Sequence, residues 1–376
     1  MTAKKGTQEK AVKPPVQLFF AGGGGGNIGG NVFSLYGDNP NQRHIKATAI
    51  NTDGGALDLM SSTITKILIG KETLEGHGTG MKPALGADAM REELDKINLD
   101  GTKVGITIAS YGGGTGTGIA PIIGKKCREC GVLSILIVTK PFGFEGYERN
   151  KLAEEALEEE LCLFDKNPDM ANFDMIIVVP NDMLLSKENK RTTLKETFAI
   201  ANDHIKKLVE GIISILVDIG YINIDIADLK TIGKNGGKTI AGYGKIFAGE
   251  EDATRAEKLL EGAVDGNPLC IFPEGKRAKR AIINLRSSGS IMKDELDKIS
   301  VAISKHMVPA EGKLIILGHT DDFGGTEKPE EEGSPWIDVT FILTDFVTVE
   351  DMGDTIEPQG NKGSLDGSSE DHDPDF

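Results

Sequence analysis

The stretch VGITIASYGGGTGTGIAPIIGKKCREC, residues 104–130, decides the fold. Its apolar run at 104–109 predicts a buried strand, and the segment from Ile119 to about Cys130 predicts a helix. The turn between them is Gly112, Gly113, Gly114, Thr115, Gly116, Thr117 and Gly118. Glycines let the backbone approach an anion closely, and a helix N-terminus presents unpaired amides to it. The segment therefore predicts a strand–turn–helix unit with a phosphate site.

A second glycine turn, AGGGGGN at residues 21–27, repeats this arrangement after the apolar run at 16–21. Its Gly22, Gly23, Gly24, Gly25, Gly26 and Asn27 precede a helix predicted to begin near Ile28. Taken alone, this turn also fits a dinucleotide site or a tight structural turn. Two glycine-rich anion-binding turns on neighbouring strand–helix units suit a di- or triphosphate. No GxxxxGK[ST] is present, which excludes a P-loop NTPase and leaves backbone amides and Mg²⁺ to hold the phosphates.

The organisation of the chain follows from its apolar patterns. Short apolar runs alternate with helical stretches from Val16 to about Asn189, which predicts a parallel sheet covered on both faces. A stripe at spacings of three and four predicts one long core-facing helix and comprises Leu194, Phe198, Ala201, Ile205, Leu208, Ile212, Ile215 and Ile219. Helices at about 251–264 and 293–305, among strands at 281–285, 313–317 and 337–344, predict a second, smaller α/β domain.

The predicted boundaries are a disordered leader at 1–15, a nucleotide-binding domain at 16–190, a central helix at 191–220, a C-terminal domain at 221–349 and an acidic disordered tail at 350–376. The charged stretch 321–335 is predicted to be an exposed loop. The tail is expected to bind an adaptor protein.

Composition excludes several classes of protein. No apolar run approaches the roughly 18 residues that cross a bilayer. Four cysteines among 376 residues and no export signal favour the reducing cytoplasm. Cys127 and Cys130 have no second pair to complete a metal site, so no protein-bound metal is predicted. The net charge of −16 argues against direct binding of nucleic acid.

From about residue 17 to 265 the chain resembles the FtsZ branch of the tubulin and FtsZ superfamily. The two glycine turns resemble its phosphate loops, and Asn51-Thr52-Asp53 resembles its NTD loop. Thr139-Lys140-Pro141-Phe142 with Glu145 and Arg149 resembles the ribose-side segment. Pro180-Asn181-Asp182 is similar to the next loop, and Phe198 with Ala201-Asn202-Asp203 resembles the guanine-contacting start of the central helix. The resemblance implies the tubulin/FtsZ fold and a site for GTP or GDP built from these residues.

Guanine recognition is chemically consistent with that implication. A carboxylate such as Asp203 can accept from the two N–H groups on one edge of guanine, a donor pair that adenine lacks, and Phe198 can stack on the base. Asn27 offers a further contact to the base edge. The pattern alone leaves other interpretations open, because Asp203 also fits a solvated helix position and Phe198 fits the core stripe.

The segment Asn223-Ile224-Asp225-Ile226-Ala227-Asp228 follows the central helix and by pattern alone resembles an exposed loop. In the superfamily, a loop of this NxDxxD form enters the nucleotide pocket of the next subunit. The resemblance therefore implies that Asp225 and Asp228, supported by Asn223, orient the attacking water in trans, with Mg²⁺ on the phosphates. Hydrolysis would then require a head-to-tail homopolymer, which is a filament because such contacts do not close.

The C-terminus departs from the family pattern. Residues 368–376, SSEDHDPDF, are acidic, whereas FtsZ proteins of cell division end in a mixed apolar and basic peptide that docks on membrane adaptors. Cell division is the function we expect, and positioning of DNA by a phage- or plasmid-type filament is the alternative. A dinucleotide-dependent oxidoreductase would leave GGGTGTG without a task. A non-hydrolysing regulatory homologue is disfavoured because both acids are present.

Overall fold

The computed structural model describes residues 16–33, 45–185, 192–217, 222–247, 254–288, 291–309, 313–321 and 336–348. The leader and the acidic tail lie outside these residues, as do residues 322–335 of the predicted loop at 321–335.

Within the described residues, the strands form one ten-stranded sheet in the order β3-β2-β1-β4-β5-β6-β7-β10-β8-β9. Their bounds are β1 Val16–Ala21, β2 Ile45–Asn51, β3 Thr65–Leu68, β4 Val104–Ser110, β5 Leu133–Lys140, β6 Met175–Pro180, β7 Gly237–Phe247, β8 Lys276–Ser287, β9 Leu314–Asp321 and β10 Trp336–Thr348. The first seven strands in that order run parallel, and β10 is antiparallel to both β7 and β8.

The helices cover this sheet. Their bounds are α1 Gly22–Phe33, α2 Gly54–Asp58, α3 Pro83–Glu92, α4 Gly114–Glu129, α5 Tyr147–Lys166, α6 Leu194–Val217, α7 Ile226–Gly233, α8 Arg255–Leu260 and α9 Lys293–Ser304. In β1, Leu18 and Phe20 join a core with α1, α6 and α7, whereas Phe19 and Ala21 join a core with α3, α4 and α5. The predicted parallel sheet with both faces covered is confirmed. No described helix is long and apolar enough to cross a membrane.

The long helix α6 has 24 residues and is about 36 Å long. Its stripe is buried from Ala201 to Ile215, as predicted. The first two members of the stripe differ, because Leu194 and Phe198 are 63% and 41% exposed. They lie in the first turns of α6, where Phe198 lines the cavity described below, and Ile219 lies outside the described residues.

Both glycine turns are shorter than predicted, because α1 begins at Gly22 and α4 at Gly114 instead of near Ile28 and Ile119. Glycine is a poor helix former, but here close packing requires it. A Cβ at Gly29 would lie 2.2 Å from Phe20, and one at Gly25 would lie 2.3 Å from the carbonyl oxygen of Ile108. Tertiary packing therefore overrides helix propensity in these segments.

The second unit of the chain continues the same sheet. Its strands join through β7, which pairs in parallel with β6 and antiparallel with β10, and sequence patterns did not predict β7. A separate core of α8, α9 and these strands supports the predicted second α/β unit. The predicted domain boundaries remain predictions.

Candidate active site

A cavity of about 1050 Å³ opens where β1, β4, β5 and β6 end, and the starts of α1, α4 and α6 surround it. Eleven predicted site residues line it: Gly23, Gly24, Asn27, Gly113, Gly114, Thr115, Gly116, Glu145, Arg149, Asn181 and Phe198. The carboxyl edge of a parallel sheet is where such folds bind their ligands. The structure therefore brings the two glycine turns and the start of α6 to one site.

The glycines in the two turns have two different tasks. At Gly22, φ is +70° and a Cβ would lie 2.6 Å from the nitrogen of Gly116, so the two helix starts pack directly against each other. At Gly23 and Gly113, in contrast, a Cβ would meet no protein atom within 4 Å, and both residues line the cavity. These two positions leave open space in front of backbone amides, the arrangement that suits phosphate oxygens.

Hydroxyl groups fix the second glycine turn. The Thr115 hydroxyl lies 2.8 Å from that of Thr52 and 3.3 Å from that of Thr79. The Thr117 hydroxyl accepts from the amide of Gly112 at 3.1 Å. Thr115 lines the cavity, whereas Thr117 is buried beneath it and stabilises the turn.

Asn51 and Asp53 do not line the cavity, and they shape the loop that carries Thr52. The Asn51 side-chain oxygen accepts from the amides of Thr52 and Asp53 at 2.9 and 3.3 Å. Asp53 caps α2 by accepting from the amide of Ala56 at 3.2 Å. Asn51 thus holds the backbone of Thr52, whose hydroxyl contacts Thr115, and Asp53 holds the start of α2. The remaining predicted glycines do not line the cavity: Gly22, Gly25 and Gly26 lie in α1, Gly112 lies just before α4, and Gly118 lies in α4.

Glu145 and Arg149 lie together at the cavity, as the predicted ribose-side segment requires. Arg149 donates to Oε2 of Glu145 at 2.9 Å, and Oε1 of Glu145 accepts from the amide of Phe142 at 3.0 Å. A carboxylate fixed in this way can accept from hydroxyl groups of a sugar.

Asn181 is the strongest indication of a ligand. It lines the cavity, it is 7% exposed, and its Oδ1 has no hydrogen-bond partner among the described residues. A buried polar atom without a partner costs free energy unless a ligand or water satisfies it. Asn181 therefore fits a polar ligand group in the cavity.

Phe198 belongs to an aromatic group at the opening. Its ring meets that of Phe142 edge-on at 5.2 Å and that of Phe144 at 6.4 Å. Phe142 is fully buried, whereas Phe198 keeps 41% of its surface exposed. The exposed ring of Phe198 therefore suits stacking against a planar base better than it suits a position in the core.

Asp203 is placed beside the cavity instead of in its lining. Its carboxylate pairs with Lys207 at 2.7 Å, and both side chains are about half exposed. The neighbouring Asn202 lines the cavity, together with Lys195 and Phe198 on the same face of α6. Direct contact between Asp203 and a base requires the carboxylate to leave Lys207. Exposed ion pairs of this kind contribute about 0–1 kcal/mol, so breaking the Asp203–Lys207 pair costs little free energy.

The remaining predicted residues lie at the other end of the sheet. Asn223 and Asp225 are exposed and Asp228 is half-buried, at the start of α7. Lys230, in the same helix, donates to the carbonyl oxygen of Gly131 at 3.1 Å, just before β5 begins. Thr139 and Pro141, which line the cavity, stand at the far end of β5, about 25 Å away along the strand. The acids and the cavity of one chain therefore do not meet.

Part of the cavity lining was not predicted from the sequence. The residues not predicted include Asn31, Gly78, Thr79, Gly80, Met81, Ser110, Tyr111 and Lys195. Burial raises the pKa of the Tyr111 hydroxyl, with Glu160 and Glu159 adding to the shift, so this group stays protonated. The glycines at 76–80 and the position of Lys195 one turn before Phe198 were the available signals.

Comparison with known proteins decides among the ligands that this cavity could hold. The family model described as Tubulin/FtsZ family, GTPase domain, matches residues 16–189. The cell division protein FtsZ of Rickettsia felis is 32% identical over 332 residues, covering 88% of this chain and 67% of that protein. The chain belongs to the FtsZ branch of the tubulin/FtsZ family. It is a GTPase of that family, and its nucleotide is GTP or GDP.

Other relatives agree with this membership. FtsZ of Caulobacter vibrioides (strain NA1000 / CB15N) is 33% identical over 324 residues, covering 86% of this chain and 58% of that protein. An FtsZ dimer of M. jannaschii is 28% identical with a TM-score of 0.73, covering 89% of both chains. CetZ2 from Haloferax volcanii, solved as a GTPγS-bound protofilament, has a TM-score of 0.69 at 18% identity and covers 90% of this chain and 96% of its own, which shows the shared fold. FtsZ membership thus selects a GTPase over the oxidoreductase that the first glycine turn alone left open.

Proposed function

We propose that this chain assembles head to tail into filaments, hydrolyses GTP between neighbouring subunits, and serves cell division. The observation that carries the proposal is the separation of Asp225 and Asp228 from the nucleotide cavity by the length of the parallel strands. Support for cell division comes from relatives that are named cell division proteins. A solved dimer and a solved protofilament among the structural relatives support self-assembly.

GTP is seated with its phosphates at the starts of α1 and α4, where Gly23 and Gly113 leave room. The ribose lies at Glu145 and Arg149. The base lies between Phe198 and Asn181, within reach of Asn202, and Asn27 stands on α1 across the cavity. The family resemblance adds Asp203 to the groups that contact the base, once its carboxylate leaves Lys207. This placement uses the unpartnered Oδ1 of Asn181 and the two open glycines, the features of the cavity that most need a ligand.

Mg²⁺ is proposed to arrive with the nucleotide. Within the described ranges, no group of three or more His, Cys, Asp or Glu side chains could hold a metal ion. The phosphate end of the cavity offers backbone amides and hydroxyl groups, with Thr115 held between Thr52 and Thr79. The amides suit the phosphate oxygens, and the hydroxyl oxygens suit a cation that keeps several waters and binds chiefly to phosphate oxygens. When bound, Mg²⁺ neutralises charge that develops on the β- and γ-phosphates.

The acids complete the site from a second copy. Asp225 and Asp228 cannot reach the cavity of their own chain, but both are accessible at the opposite end of the molecule. A head-to-tail contact brings this end over the cavity of the next subunit. There the carboxylates orient and polarise the attacking water, and the contact excludes bulk solvent.

Exposed apolar side chains support a contact at the cavity end. Leu59 is 90% exposed, Tyr147 is 74% exposed and Phe144 is 57% exposed, all on loops or helix starts at that end. At the end that carries Asp225, Ile222 is 45% exposed. Groups of exposed apolar side chains mark surfaces that are covered by a partner.

The experiment that tests the proposal measures phosphate release from GTP over a wide range of protein concentrations, with ATP as the control. A site completed by a neighbour gives specific activity that is negligible at low concentration and rises steeply above a threshold. Constant specific activity at all concentrations would mean that one chain contains the whole site. GTP binding without any turnover would indicate the regulatory homologue.

A second candidate function is a filament that positions DNA through an adaptor protein bound to the acidic residues 350–376. The adaptor protein proposed to bind those residues decides between the two candidates. Purification of the full chain with its bound partners from its own cells tests this point. A membrane-associated adaptor supports division, whereas a DNA-binding adaptor supports positioning. The cytoplasm remains the predicted location in both cases.

A further inference from the structure

The start of β8 is unusually basic for this chain. Residues 276–280 read KRAKR in a protein whose net charge is −16. Lys276 is exposed, and Arg277, Lys279 and Arg280 are half-buried. A local positive surface on an acidic protein attracts anionic groups selectively. These residues therefore mark a surface that could bind an acidic partner.

Neighbouring elements enlarge this positive surface. Arg280 donates to the carbonyl oxygens of Thr231 and Lys234 at 2.9 Å each, which places the end of α7 beside it. The amide of Ala278 donates to the carbonyl oxygen of His306 at 3.0 Å, which places Lys305 beside it as well. We call Lys234, Lys276, Arg277, Lys279, Arg280 and Lys305 together the basic end.

Little within the described ranges neutralises the basic end. Arg280 pairs with Asp345 at 3.3 Å, but no ion pair among the described residues involves Lys234, Lys276, Lys279 or Lys305. Burial lowers the pKa of the His306 imidazole, and Arg277 and Lys305 lower it further while Asp265 opposes them.

The register of β10 places an acidic segment next to the basic end. Thr348 is the last residue of β10 and lies opposite Lys276, and Val347 lies opposite Arg277. Residues 349–376, which follow at once, carry nine acidic side chains and one lysine, a net charge of −8. Neighbouring strands are about 5 Å apart, so β10 ends beside the basic end, at the residue that directly precedes this acidic segment.

We propose that the acidic segment 349–376 docks on the basic end of its own chain. Tethering gives the segment an effective concentration of about millimolar at that surface, which lets individually weak charge pairs act together. The docked segment neutralises cations that otherwise repel one another. It also lies beside α7, which positions Asp225 and Asp228. This docking follows from charge and strand register and does not require GTP hydrolysis.

Zero-length carbodiimide cross-linking of the full chain, read by mass spectrometry, tests the docking. It joins a lysine amine to a carboxylate only when the two touch. We expect links from Lys276, Lys279 and Lys305 to acids of 349–376, and few from Lys66, an exposed lysine on β3 far across the sheet. At about 1 M salt, where screening acts within about 3 Å, the links to the basic end fall several-fold. The proposal would be overturned if Lys66 formed as many links to 349–376 as the lysines of the basic end, or if salt left the number of links unchanged.

Two further cross-linking experiments identify which segment occupies the basic end. In an equal mixture of ¹⁴N- and ¹⁵N-labelled chains, docking within one chain gives links of a single isotope, whereas mixed links would assign the surface to a second copy and overturn it. The double variant Lys276→Glu/Lys279→Glu should lower links at the unchanged Lys305 at least about threefold, because the attracting charge is reversed. The control variant Lys66→Glu should leave the Lys305 links unchanged. No loss in the double variant would overturn the proposal.

Discussion

Asp225 and Asp228 hold each other at the start of α7. The amide of Asp225 donates to Oδ2 of Asp228 at 3.0 Å, and the amide of Asp228 donates to Oδ1 of Asp225 at 2.8 Å. Each carboxylate keeps a second oxygen outside this reciprocal pair. Two carboxylates are therefore fixed relative to each other on the surface before any partner arrives.

This geometry predicts the effect of removing charge while keeping the cap. In Asp225→Asn/Asp228→Asn, the amide oxygens still accept the two backbone N–H groups, since Asn is as good a helix cap as Asp. We expect GTP affinity within about twofold of the parent and turnover lowered by about a hundredfold or more. Fluorescence titration and phosphate release measure the two quantities. Asp297→Asn, an exposed change on α9, is the matched control and should alter neither.

A mixture of two inactive chains tests the assignment in trans. The acid variant keeps its cavity, and Gly113→Ala, which fills space in the cavity, keeps its acids. An equal mixture should release more phosphate than the sum of the separate chains, because the cavity of one meets the acids of the other. A mixture no more active than its parts, with the acid variant still able to bind GTP, would count against trans action.

The open glycines predict opposite effects on folding and on binding. Ala at Gly23 or Gly30 has space in the fold and improves helix propensity by about 1 kcal/mol. Only Gly23 lines the nucleotide cavity, so Gly23→Ala should weaken GTP at least about tenfold, whereas Gly30→Ala should not. Thermal unfolding and GTP titration measure both effects. Equal GTP affinity in the two variants would remove the phosphates from Gly23.

The sequence predicted the elements whose pattern is local, and missed those that depend on distant partners. Val16–Ala21 was predicted with the bounds the structure has, because a run buried on both faces is continuously apolar. Strand β7 was missed because GKTIAGYGKIF contains three glycines, and two of them pack against Phe341 and Ala263, which no local pattern reveals. The helix starts were misplaced for the same reason, since glycines that normally end helices are here required by packing.

The candidate site follows the same division. Gly23, Gly113, Glu145 and Phe198 were identified because motif and resemblance fall on them, and the structure brings them together. Asp203 was identified by resemblance, but its present partner Lys207 lies one helical turn away and is visible only as an i, i+4 pair. The unpartnered oxygen of Asn181 depends on burial, which spacing does not determine.

Guanine recognition predicts a loss of selectivity in Asp203→Ala. If the carboxylate leaves Lys207 to accept from guanine, the variant should bind GTP less tightly and lower the preference for GTP over ATP by about tenfold or more. Competition titration with both nucleotides measures the ratio. Lys207→Met removes only the competing partner and should keep or raise the preference. An unchanged ratio in Asp203→Ala would assign base recognition to Asn202.

Glu160 makes stability depend on pH. It is 4% exposed on α5, and burial raises its pKa from 4.5 to about 7, while the Asn172 amide, 3.1 Å from each oxygen, lowers the pKa and Glu159 raises it. Between about pH 4.5 and 7 the folded chain holds a proton that the unfolded chain has lost. Its contribution to stability is therefore complete below about pH 4.5 and is lost as pH rises through about 7.

Glu160→Gln isolates this contribution, because Gln stays neutral and still offers Asn172 an acceptor oxygen. From pH 5.5 to 8.5, a range above the isoelectric point of 4.9, the variant should gain about 2 kcal/mol of stability relative to the parent. Urea unfolding of both chains at the two pH values measures the difference, and taking the difference cancels the titration of groups they share. Glu159→Gln, an exposed neighbour on the same helix, should shift it by only a few tenths of a kcal/mol. If the stabilities of parent and Glu160→Gln ran parallel over this range, the carboxylate would already be ionised at pH 5.5 in the folded chain, and burial would not control its proton.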